Sequence, residues 1–69
     1  LMDWTYHPSG LWVLKLQFVH ASVASFPDAN GEYYVEAEST YSNLLRAKTL
    51  TIEDGKRLAE KAIAEYQRH

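Results

Sequence analysis

The side chains that could do chemistry include three histidines, at positions 7, 20 and 69 of a 69-residue chain without cysteine. A zinc site needs three or four convergent ligands, whereas these histidines are not spaced i,i+4 from one another and have no ligand cluster nearby. We therefore expect no metal site and no cofactor. His20 is expected to lie beside Glu38 on the solvated face of a sheet, as a surface pair.

Glu32, Glu36 and Glu38 recur at even spacing along one segment. A hydrolase with paired carboxylates holds them about 5–10 Å apart across a cleft, and the flat face of a sheet offers no cleft. No serine has the strand-to-helix context of a nucleophile elbow. Three glycines are too few for a loop that cradles phosphate. The sequence therefore predicts a protein that is not an enzyme.

The histidines and glutamates discussed above lie mostly in segments that the sequence predicts to be β-strands. Residues 11–25 alternate between apolar and polar side chains, and the parity of the alternation changes between Phe18 and Val19. No Gly, Pro, Asn or Asp interrupts the segment. We therefore expect one strand with a β-bulge at Phe18 and Val19, because a bulge exchanges the two faces without ending a strand.

Residues 27–31, Pro-Asp-Ala-Asn-Gly, predict a turn, since Pro sets φ and Asn-Gly tolerates a positive φ. A second strand is expected over residues 32–41. Pairing across the turn would place Val23 beside Val35, with further apolar pairs on the same face.

A third strand, over residues 44–50, is expected after a three-residue loop that ends with Asn43 in the left-handed region. This loop would place Arg46 opposite Glu38. It would also place Lys48 opposite Glu36, so that opposite charges meet on the solvated face. A helical turn in this segment is the alternative.

The C-terminal segment predicts an amphipathic helix that begins after Thr51, a favourable N-cap residue. Gly55 costs up to about 1 kcal/mol in a helix interior, and we expect it to allow a close approach to the sheet. The apolar stripe comprises Gly55, Leu58, Ala59, Ala62, Ile63 and Tyr66. Three i,i+4 ion pairs are expected on the other face: Glu53–Arg57, Lys56–Glu60 and Lys61–Glu65.

The N-terminal residues are expected to add a strand that turns through residues 7–10. One register puts Trp4 and Tyr6 in the core beside Trp12, and the register one residue away puts them outside. The predicted fold is one α+β domain over residues 1–69. It is a three- to four-stranded antiparallel meander followed by one C-terminal helix packed on one face.

The chain also has a recognisable layout: Trp4, Gly10-Leu11-Trp12 opening a strand, Tyr33-Tyr34-Val35 in the next strand, and Leu-Thr-Ile-Glu-Asp-Gly-Lys-Arg-Leu-Ala-Glu at residues 50–60. This layout resembles a broad set of small phage- and prophage-encoded proteins, most without an assigned activity. In that set Ala usually stands where this chain has Gly55. The resemblance implies a cytoplasmic protein of a bacterial host that binds and blocks a host protein, as anti-CRISPR inhibitors do.

The net charge and the aromatic residues indicate which class of partner the protein binds. A net charge of −2 disfavours generic binding to nucleic acid or anionic membranes, and no apolar run approaches the roughly 18–20 residues of a membrane span. The aromatic side chains exceed what a core of this size hides, and exposed aromatics anchor protein interfaces. We predict a protein partner, self-association as a homodimer, or both. The candidate contacts are Trp4, Tyr6, Tyr34, Glu36 and Glu38.

The alternative partner is single-stranded nucleic acid. Its bases would stack on aromatic side chains of the sheet, as in other sheet-based binders. The phosphates would be contacted by Lys15, Arg46 and Lys48.

Overall fold

The computed structural model describes residues 2–68 as a five-stranded antiparallel sheet followed by one helix. The elements are β1 (Thr5–His7), β2 (Leu11–Leu16), β3 (Val19–Ala24), β4 (Tyr33–Ser39), β5 (Asn43–Thr49) and α1 (Ile52–Gln67). Neighbours in sequence are neighbours in the sheet. The α+β meander with a C-terminal helix is confirmed, with five strands in place of three or four. Within the described residues, no helix has the length and apolar character to cross a membrane.

The core lies between one face of the sheet and α1, which packs over β3, β4 and β5. Alternate residues of β3 and β4 point toward the helix, as the period of a strand requires. Val23 pairs with Val35 as expected. The buried apolar residues are Leu14, Val19, Ala21, Val23, Val35, Ala37, Ala59 and Ile63.

Gly55 brings the first turn of α1 onto the sheet. A Cβ at this position would lie 2.8 Å from Val35 Cγ2 and 3.0 Å from Val23 Cγ1. The expected close approach is therefore confirmed.

Thr51 is the N-cap of α1, and its Oγ1 accepts a hydrogen bond from the Asp54 N–H at 3.0 Å. The ion pairs within the described helix have i,i+3 spacing: Lys56–Glu53 at 3.7 Å and Arg57–Asp54 at 3.3 Å. The i,i+4 pairing expected from the sequence is wrong. Both spacings bring side chains to the same helix face, so the sequence alone does not choose between them.

Residues 11–25 form two strands rather than one. Leu16 pairs with Val19, so Gln17 and Phe18 form a two-residue hairpin turn. Phe18 has φ 67°, a conformation that bulky residues rarely adopt. The expected bulge at Phe18 and Val19 is wrong, because reversing the chain through two residues produces the same change of parity as a bulge.

The connection between β4 and β5 also differs from the expectation. β4 ends at Ser39, whose N–H donates to the Ser42 carbonyl at 2.8 Å. Asn43 lies in β5 opposite Glu38 instead of in the left-handed region. Residues 43–49 form a strand, so the alternative of a helical turn is excluded.

The pairing of β4 with β5 is shifted by two residues from the predicted register. Arg46 lies opposite Glu36, and Lys48 lies opposite Tyr34. The expected charge pairs are therefore wrong. A shift of two residues preserves the face on which each side chain lies, so both cations remain on the face away from the helix.

The N-terminal strand takes the register that turns its aromatic side chains toward the helix. Tyr6 pairs with Trp12, and their rings meet edge to face with centroids 5.1 Å apart. Trp4 Nε1–H donates to Glu60 Oε2 at 2.7 Å. Residues 7–10 form the expected turn, in which the Gly10 N–H donates to the His7 carbonyl at 2.9 Å.

Candidate functional site

The five residues predicted to contact a partner fall into two groups on opposite faces of the sheet. Trp4 and Tyr6 lie on the face that carries α1. Tyr34, Glu36 and Glu38 lie on the other face, which we call the open face. The structure does not bring the two groups together, and their role as contacts stays a prediction.

The polar atoms of Trp4 and Tyr6 already have partners inside the protein. Trp4 is half-buried and bonded to Glu60, and the Tyr6 hydroxyl lies 3.2 Å from Ser25 Oγ. These contacts link the residue before β1 to the helix, and β1 itself to Ser25, which follows β3. A groove of about 550 Å³ runs beside Trp4, and most of its lining side chains are charged, with both signs present.

Charges on the open face are interleaved with opposite charges. Glu38 Oε1 accepts from His20 Nε2 at 2.8 Å, which confirms the predicted surface pair. Lys15 lies opposite His20, and Arg46 lies opposite Glu36. The cations proposed for nucleic-acid binding therefore share one face, and Arg46 among them lies directly opposite a carboxylate.

Lys48, the third of these cations, is held at the edge of the open face by Asp28 of the β3–β4 turn. Its Nζ donates to Asp28 Oδ2 at 2.7 Å. The hydrogen bond raises the pKa of Lys48. It also contributes most to lowering the pKa of Asp28 from 3.8 to about 2, assisted by backbone N–H groups of Glu32 and Asn30. This cation is engaged in a structural contact.

A third surface lies where the β2–β3 turn, the β4–β5 turn and the last turn of α1 meet. The Thr40 N–H donates to the Phe18 carbonyl at 3.1 Å and ties the two sheet turns together. Phe18, Thr40, Tyr41 and Tyr66 line a groove of about 390 Å³. We call these four residues the aromatic end.

The aromatic rings of this surface are unusually exposed. The exposed fractions are 69% for Phe18, 94% for Tyr41 and 41% for Tyr66. The left-handed backbone at Phe18 costs about 1–2 kcal/mol for an L-residue, and the ring recovers little of that cost by burial. The pairing of Leu16 with Val19 imposes this conformation on the turn, and strained backbone conformations of this kind cluster at functional positions.

Sequence reasoning did not single out the aromatic end, because it placed Phe18 inside a continuous strand. The available signal was the change at Val19 in the parity of the apolar–polar alternation. If this change is interpreted as a hairpin, Phe18 lies at the tip of its turn. Nothing in the sequence shows that Tyr41 and Tyr66 converge on the same groove.

Within residues 2–68, no group of three or more His, Cys, Asp or Glu side chains is arranged to hold a metal ion. No protein-family model, curated protein or solved structure matches the chain, so its function is argued from its own geometry.

Proposed function

We propose that this protein acts by binding a protein partner, and that the aromatic end is its main contact surface. The observation that carries the proposal is the convergence of Phe18, Tyr41 and Tyr66, all exposed, on one groove. Aromatic side chains dominate the energetic hot spots of protein interfaces. They supply a large contact area while only two χ angles become ordered on binding.

The backbone that carries the aromatic end is also ordered before any partner binds. Phe18 and Tyr41 sit in two short turns linked by the Thr40 N–H, and Tyr66 belongs to α1. A contact surface that is ordered in advance loses less conformational entropy on binding. By comparison, Trp4 is hydrogen-bonded to the helix, and on the open face Glu36 lies opposite Arg46 and Glu38 contacts His20.

The proposal extends to a small phage-type accessory protein that inhibits a host system in the bacterial cytoplasm. The resemblance of the sequence layout to small phage-encoded proteins supports this part. The absence of cysteine is compatible with a reducing compartment.

The test compares capture of proteins from bacterial lysate by the immobilised wild type and by single-residue variants. Tyr41→Ser is the principal variant, because the side chain of Tyr41 is almost fully exposed and we expect its loss to leave the fold unchanged. Tyr34→Ser on the open face is the matched control, and Glu36→Lys tests the charged contacts. We expect a protein that the wild type and both open-face variants retain and that Tyr41→Ser loses.

Three results would count against this assignment. Loss of capture in Tyr34→Ser or Glu36→Lys, with Tyr41→Ser unaffected, would move the contact surface to the open face. A concentration-dependent dimer that Tyr41→Ser abolishes would make a second copy the partner. Salt-dependent binding of labelled single strands, lost in Lys15→Glu, would favour nucleic acid.

A further inference from the structure

Building on the proposed function, we infer that the aromatic end receives a positively charged side chain of the partner, a lysine or methylated lysine. The groove has the composition that an organic cation requires. Three of its four lining residues are aromatic, and the fourth, Thr40, contributes an uncharged side chain. A cation over an aromatic face is attracted by the ring quadrupole.

The end of α1 adds negative potential to the same place. The C-terminus of a helix carries roughly half a negative elementary charge, which favours a cation. Tyr66 lies in the last turn of α1, and no lysine or arginine belongs to that turn. Glu65, the neighbour of Tyr66, lines a different groove together with Lys61, so the negative potential at this place comes from the helix end itself.

Arg68 is the one cation at this helix end within the described residues. It is the C-cap residue, and its backbone N–H donates to the Ala64 and Glu65 carbonyls at 3.2 and 3.3 Å. Its exposed side chain adds a positive charge close to Tyr66 in sequence. Arg68 therefore weakens the attraction for an incoming cation without lining the groove.

A cation–π interaction is already present elsewhere in the chain, near the start of α1. Lys56 Nζ lies 3.8 Å from the centroid of a Trp12 ring. That aromatic side chain has a cation from its own protein. The groove of the aromatic end has no cation in its lining, and Lys15 and His20 line a neighbouring groove that shares Phe18 and Thr40. A cation in the groove of the aromatic end would therefore come from the partner.

The test is a titration of the ¹⁵N-labelled full chain with two probes, followed by amide chemical shifts. The first probe is the N-acetyl amide of Nζ-trimethyllysine. The second is its neutral isostere, in which carbon replaces the charged nitrogen. We expect shifts centred on Phe18, Thr40, Tyr41 and Tyr66, with the neutral probe binding at least about tenfold more weakly, since charge is the only difference between the probes.

Single-residue variants distinguish weaker probe binding caused by the loss of an aromatic ring from weaker binding caused by unfolding. Tyr41→Leu keeps an apolar side chain but removes the ring, and we expect at least fivefold weaker binding of the charged probe. Phe18→Gly is expected to weaken binding while raising the urea midpoint, because glycine adopts a positive φ without strain. Arg68→Gln should bind the charged probe more tightly, and Tyr34→Leu should bind it as the wild type does.

The outcomes distinguish this inference from the proposed function. Equal binding of the two probes, or unchanged affinity in Tyr41→Leu, would overturn the cation site and leave protein binding through the aromatic end intact. Shifts that depend on protein concentration without any probe would assign the groove to a second copy. Retention of the captured protein by Tyr41→Ser would overturn the proposed function itself.

Discussion

Asp28 organises the turn between β3 and β4 through both of its carboxylate oxygens. Its Oδ1 accepts from the N–H groups of Asn30 at 2.9 Å and Glu32 at 3.0 Å, while Lys48 occupies Oδ2. Gly31 follows with φ 77°, in the left-handed region that glycine tolerates. The Asp28 side chain thereby accepts hydrogen bonds from two backbone N–H groups of the turn and links the turn to Lys48 of β5.

Stability should consequently depend on the ionisation of Asp28. Its pKa is about 2 in the folded protein and 3.8 without these contacts, so the unfolded chain binds the proton more readily. The stabilisation is therefore complete above about pH 4 and is lost as the pH falls toward 2. Lys48→Met is expected to raise the pKa of Asp28 toward its ordinary value and to flatten this part of the pH dependence.

Carboxyl NMR titration and urea unfolding between pH 5 and pH 2 measure the two effects. Lys61→Met, an exposed helix substitution away from this turn, is the control for loss of one positive charge. An Asp28 carboxyl that titrates near its ordinary pKa in the wild type would contradict the expectation.

The first turn of the helix lies close to the sheet at Gly55. Alanine at an exposed helical position stabilises a helix relative to glycine by up to about 1 kcal/mol. At position 55 the added Cβ would meet Val35 Cγ2 at 2.8 Å. Val35 is fully buried and β-branched, so it does not rotate away freely.

We therefore expect Gly55→Ala to lower the free energy of unfolding by about 1–3 kcal/mol, the usual cost of an overpacked core. Urea denaturation measures this change. In a Val35→Ala background the same substitution should cost less, because the clashing methyl group is gone. Equal costs in the two backgrounds would show that the close approach is not the reason for glycine.

The sheet as a whole is only partly covered by the helix. α1 packs over β3, β4 and β5, and all three residues of the edge strand β1 are exposed. Backbone hydrogen bonds under a packed helix open by global unfolding, whereas those of an exposed edge open locally.

Native-state hydrogen exchange should follow this division of the sheet. The slowest amides are expected in β3 and β4, and the fastest strand amides in β1. Exchange in β1 as slow as in β3 would show that the contact of Trp4 with Glu60 holds the edge more firmly than its exposure indicates.

Local sequence signals account for the parts of the fold that were predicted correctly. Asp28 and Asn30-Gly31 specify their turn, and the turn sets the pairing of Val23 with Val35. Thr51 marks the start of α1 through its side-chain cap. Each of these features depends on residues close together in the chain or on a hairpin closed by one short turn.

The β2–β3 turn and the register of β5 were not predicted correctly, for identifiable physical reasons. The turn at Gln17 and Phe18 contains no residue that favours a positive φ. The turn therefore forms only because β2 and β3 pair on either side of it. The register of β5 depends on a loop whose residue types permit more than one length, and on an irregularity beside Glu38.

Amino-acid order alone determined the apolar–polar alternation of the extended segments, the Asp28 turn and the capped amphipathic helix, because these follow from neighbours a few positions apart. Only the tertiary structure decided which exposed aromatics stand together. Phe18, Tyr41 and Tyr66 are separated by at least 23 positions in the chain. They meet because two hairpin turns and the end of α1 arrive at one edge of the sheet, where pairing and packing, not local preference, set the positions of the rings.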